Sequence, residues 1–152
     1  MYRTITLLLS MLLSSHVIAV QVSDSDKVKR AVLDYIESQH KVAPEMMKKG
    51  LDKKLAKRTY WQTKDGAETI METDFDTMVW VADNYNKNGD KFPAQPKIDI
   101  KIFDIDNRVA SVKLTADEWI DYMHLVKNDN GEWKILNVLW QYHDDQRHKS
   151  KK

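Results

Sequence analysis

Apolar residues recur at a spacing of three and four in the first half of the chain and at a spacing of two in the second half. Val28, Ala31, Val32, Tyr35 and Ile36 line one face of an amphipathic helix, and Ser23 to Asp26 supply its capping hydroxyl and first-turn carboxylates. Pro44 opens a short second helix through Met46 and Met47 that stops at Gly50, read as a left-handed C-terminal residue. Leu51 to Ala56 then reads as a turn or helical fragment. Arg58 to Thr63 and Ala67 to Glu72 flank Asp65-Gly66, which predicts two short strands around a tight hairpin. Thr73 caps a third helix with Phe75, Met78, Val79, Ala82 and Tyr85 on one face, and Phe92 to Pro96 forms a stiff connection within the same domain. From there the period is two: Ile98, Ile100 and Ile102; Ala110, Val112 and Leu114; Trp119 to Val126; Trp133, Ile135 and Leu139. Asp106-Asn107 and Asn130-Gly131 provide turns, giving a four-stranded antiparallel meander. Helices followed by strands predict an α+β domain with its helices on one sheet face. His143 to Lys152 has no apolar residue and is expected to be a frayed polar tail.

The opening segment has a different character. Arg3, the apolar run Ile5 to Leu13, and Val17-Ile18-Ala19 are the three regions of a secretory signal peptide, in order. The run is shorter than the roughly 20 residues a membrane span needs, so cleavage near Ala19 is expected and no membrane anchor is left. The expected organisation is a leader over 1–19, one domain over 20–142 and the tail over 143–152, in a periplasmic or secreted protein. With no cysteine, the exported chain has neither a lipoprotein anchor nor a disulfide. Losing Arg3 with the leader leaves 23 Lys plus Arg against 23 Asp plus Glu, so no charge steers the chain toward nucleic acid or an anionic membrane.

The order helix, helix, hairpin, helix and four strands ends in Gly131-Glu132-Trp133-Lys134-Ile135-Leu136-Asn137. Together with Leu55-Ala56-Lys57-Arg58 and Asp121-Tyr122-Met123-His124-Leu125-Val126-Lys127, it resembles the Putative lumazine-binding family. That family is a branch of the nuclear transport factor 2-like superfamily, which also holds SnoaL-like and ketosteroid isomerase-like proteins. The resemblance covers nearly all of the chain after the leader. It implies a cone in which a curved antiparallel sheet wraps three helices around a pocket. The superfamily contains isomerases, polyketide cyclases, dehydratases and non-enzymatic binding modules, so the fold alone leaves the chemistry open.

Polar residues on inward faces are therefore the candidates. Alternation groups Trp119, Asp121, Met123 and Leu125 against Ile120, Tyr122, His124 and Val126, and both sets are largely apolar. Grouping Met123 with Leu125 favours the Asp121 set inside. Asp121 is then a buried carboxylate, either ion-paired with Arg58 or serving as a general base. His40, at the end of the first helix, is a second candidate acid or base, or a helix cap. Tyr60, Trp61, Met78, Trp119 and Met123 are candidate walls of an apolar or aromatic pocket, or simply core. If Trp133 and Ile135 face inward, strict alternation puts Asn137 in the cavity and sends Leu136, Val138, Trp140 and Tyr142 to the other face, where they would form a homodimer interface. His143, Asp144, Asp145 and His148 are metal-ligand types in a tract without a scaffold, so no metal site is expected, and no nucleotide loop, HExxH or Gly-x-Ser-x-Gly element implies a cofactor. The sequence favours a binding domain for a small apolar or aromatic molecule. A proton-transfer enzyme of isomerase, cyclase or dehydratase type and a protein-interaction module are the alternatives.

Overall fold

The computed structural model describes residues 22–150, so the leader expected over 1–19 lies outside the described residues. Helices α1 (Asp24–Lys41), α2 (Pro44–Gly50) and α3 (Phe75–Asn84) pack on one face of six strands: β1 (Leu51–Gln62), β2 (Glu68–Thr73), β3 (Ile98–Asp106), β4 (Val109–Ala116), β5 (Trp119–Lys127) and β6 (Trp133–Tyr142). The sheet order is β2-β1-β6-β5-β4-β3. The class is α+β as expected, but the sheet is mixed. The β1 strand runs parallel to β6, while every other pair is antiparallel. A parallel pair needs a long crossover, and β2, α3 and the meander together supply it.

The ends of the elements follow local chemistry. Ser23 caps α1 by accepting from the Asp26 amide, and Asp24 fixes the helix start to the far end of the sheet. Its carboxylate accepts from Lys127 Nζ at 2.8 Å and from Trp133 Nε1 at 2.9 Å. Val42 closes α1 in the left-handed region at φ 52°. Asp74, rather than Thr73, caps α3 by accepting from the Thr77 amide. Gly50 does not provide a left-handed stop. A Cβ there would stand 2.7 Å from the Ala31 carbonyl oxygen and 3.2 Å from the Tyr35 nitrogen, so glycine is required where α2 lies against α1.

Three expectations are corrected by the strands and the tail. Leu51 to Ala56 belongs to β1, whose inward row is Leu55, Lys57 and Thr59. In β6, Ile135 pairs with Leu125 and Asn137 with His124, so Leu136 is an extra residue, a bulge that reverses the facing of all that follows. Val138 is consequently buried, Trp140 and Tyr142 pack against the core, and Asn137 is exposed. The tail does not fray. Residues 145–147 form a 3-10 turn, and His148 is buried between β1 and β6 where the two strands part. Its Nε2 accepts from the Tyr142 amide at 2.6 Å, which places the ring proton on Nδ1, donating to the Tyr60 carbonyl at 3.0 Å. Lys149 then pairs with Gln62 in parallel register.

Candidate functional site

The buried polar centre of the cone begins with the alternation of β5, which turns Trp119, Asp121, Met123 and Leu125 inward. Asp121 is fully buried. Its Oδ1 accepts from Lys57 Nζ at 2.7 Å and its Oδ2 from Trp119 Nε1 at 2.9 Å. Lys57 Nζ also donates to the Tyr35 hydroxyl at 2.7 Å, and that hydroxyl has only a long bond, 3.4 Å, to Asp121. Arg58, the expected partner, points to the opposite face and pairs with Glu72 in solvent. The reason is parity: on β1 the odd-numbered residues beyond Leu55 face the core. Burial pulls the Lys57 ammonium below the usual lysine value, with Asp121 opposing, while burial and the Asp121 charge push the Tyr35 hydroxyl well above its ordinary range. At neutral pH Tyr35 is therefore a proton donor, not a phenolate.

Lys57 and Tyr35 form the polar floor of a cavity of about 210 Å³. Met78, Val81, Trp119 and Trp140 supply the apolar part of its lining, with Tyr85, Tyr142, Gln39, Thr73 and Thr77 beside them. The Lys57 ammonium lies 4.9 Å from the centre of the Trp140 ring, a cation–π distance. Asp121 does not line the cavity, because Lys57, Tyr35 and Trp119 stand in front of it and occupy its oxygens. The arrangement can therefore hold a flat apolar body and hydrogen-bond one end of it. Asp121, as placed, cannot take a proton from a molecule in the cavity.

The remaining candidates are dispersed. Met78 and Trp119 line this cavity, whereas Met123 is core beneath it. Tyr60 is on the outer face, and Trp61 Nε1 donates to Ser150 Oγ at 3.1 Å. Both belong to the region where the tail docks, and Tyr60 lines a separate groove of about 440 Å³ there. Asn137 is exposed on the outer face for the reason the bulge gives. His40 lies outside the cavity, with its ring 4.2 Å from that of Phe92 and its Nε2 buried without a partner among the described residues. Burial keeps its imidazole below the usual histidine value. Val138, Trp140 and Tyr142 cannot form an outer interface, and the outer face carries Tyr60, Ile70, Phe103, Tyr122 and Leu139 instead. Lys57, Tyr35, Trp140 and Tyr142 were missed as cavity residues. Continuing the alternation from Leu55 would have found Lys57.

Residues 23–141 match the model of the family described as Putative lumazine-binding. No curated protein matches the chain in sequence. Among solved structures, a nuclear transport factor 2-like protein of unknown function from Shewanella baltica is similar at TM-score 0.64 and 18% identity, over 80% of this chain and 94% of that one. The CaMKII hub of S. rosetta is similar at TM-score 0.59 and 12% identity, over 81% of this chain and 99% of that one. A protein from Novosphingobium aromaticivorans described as a putative scytalone dehydratase is similar at TM-score 0.51 and 14% identity, over 80% and 85% of the two chains. At such identities the likeness is one of fold.

Proposed function

The chain belongs to the Putative lumazine-binding family, and from that premise we propose that it is an exported small-molecule-binding domain whose ligand occupies the cavity above Lys57 and Tyr35. The observation that carries this reading is the cavity itself: aromatic and methionine walls around one end with hydrogen-bond donors. Binding is favoured over proton-transfer catalysis because the carboxylate that would act as base is fully buried and holds firm hydrogen bonds from Lys57 and Trp119, one on each oxygen. Export rests on the leader-like sequence of residues 1–19.

Native mass spectrometry of protein purified from its own host tests the ligand. A bound small molecule is expected that is depleted when Met78→Trp fills the cavity. If occupancy is unchanged in that variant, the ligand sits elsewhere and the cavity reading fails. N-terminal sequencing of the fractionated protein tests export, with a start near Val20 expected.

The exposed apolar residues of the outer sheet face favour a second element of the reading, a homodimer through that face.

A further inference from the structure

Given the small-molecule reading above, on which this step rests, we infer that the cavity selects an uncharged planar ligand whose carbonyl oxygen is held jointly by Lys57 Nζ and the Tyr35 hydroxyl. An ammonium group has three N–H donors. Two are used, on Asp121 Oδ1 and the Tyr35 oxygen, both at 2.7 Å, and the third has no acceptor among the described residues. The Tyr35 proton is held only by the 3.4 Å contact with Asp121, so it is free to turn into the cavity that Tyr35 lines. Two donors on atoms 2.7 Å apart in one cavity lining suit a single sp² oxygen with two lone pairs.

The charge of the ligand follows from the pair behind the donors. Among the described residues Lys57 is the one charged residue lining the cavity, and it is neutralised by Asp121 in direct contact. A ligand carboxylate would enter a site whose positive charge is already compensated and would face the buried Asp121 charge beyond it, while losing its own hydration. A neutral carbonyl gains the donors without that penalty. Trp119, Trp140, Met78 and Val81 supply the apolar part of the lining, the two indole rings suiting a planar ligand.

The test uses three probes of similar size and shape: 2-quinolone, with a lactam carbonyl; naphthalene, with no acceptor; and quinoline-2-carboxylate, an anion. Equilibrium dialysis with the whole protein should show 2-quinolone binding about tenfold more tightly than either of the others. The carbonyl stretch of bound 2-quinolone should move to lower frequency, and Tyr35→Phe, which keeps the ring and its packing, should reverse part of that shift and weaken binding. Lys57→Met would remove the other donor but disturbs the buried pair, so Tyr35→Phe carries the assignment. Tighter binding of the carboxylate, equal binding of all three, or a stretch that Tyr35→Phe leaves unmoved would each overturn the inference while leaving the cavity as a binding site. If none of the three binds, naphthalene included, the cavity reading falls as well.

Discussion

Lys57 and Asp121 illustrate how one side chain's facing decides the character of a site. With their side chains 9% and 0% exposed, neither charge is relieved by solvent. Lys57→Met leaves Asp121 buried and uncompensated and is expected to cost about 3–5 kcal/mol in urea denaturation, while the double variant with Asp121→Leu recovers most of that loss. His40 makes an independent prediction. Burial, outweighing the nearby Asp117 and Glu37, lowers its pKa from 6.5, so the native state binds a proton less readily than the unfolded chain. Its contribution is present above pH 6.5 and is lost as the pH falls through the lowered native value. Urea midpoints measured from pH 7.5 to 5 should fall for the wild type and flatten for His40→Phe, which keeps the contact with Phe92. A slope unchanged by the substitution would assign the effect to another group.

At the level of elements, the four-strand meander, the three helices and the inward set of β5 were legible because their apolar spacing is regular. What was not legible had a physical cause in each case. The β1 strand hides its periodicity by placing Lys57 and Thr59 on the inward face, so the row that should have looked apolar reads as polar. The single bulged residue Leu136 turned a correct inward assignment of Trp133 and Ile135 into an incorrect one for Asn137, Val138, Trp140 and Tyr142. The tail was misread because its docking is made by hydrogen bonds from His148, which no hydrophobic pattern reports. His148→Ala should therefore cost about 1–3 kcal/mol by leaving the Tyr142 amide without its acceptor and removing the bond to the Tyr60 carbonyl, detectable as a lower thermal midpoint. Gly50→Ala tests the close approach of α2 to α1. The added Cβ meets backbone, which cannot swing away, so a loss of about 1–3 kcal/mol is expected in the same measurement.

Taken as a whole, the described residues form a packed inner layer, a cavity over Lys57 and Tyr35, and an outer sheet face that keeps large apolar groups in water. Leu139 is 61% exposed and lies beside Tyr122 across the β5–β6 pair at the middle of that face. If the face joins two copies, wild-type protein should sediment as a dimer, and Leu139→Lys should shift it to monomer without changing its circular dichroism. A wild-type monomer at tens of micromolar would remove the homodimer. The residues to alter are not the ones alternation nominated, since three of those four stabilise the inside.

The position of β6 has a bearing on how such a chain comes to be folded. The strand made last lies between the one made first and its meander neighbour, so the middle of the sheet is missing until synthesis is nearly over. A nascent chain that lacks it has two separated half-sheets, each with a bare edge, and the contacts that would close them span most of the sequence. Premature folding is thereby disfavoured. If residues 1–19 direct export as proposed, late completion keeps the chain threadable until β6 has been made.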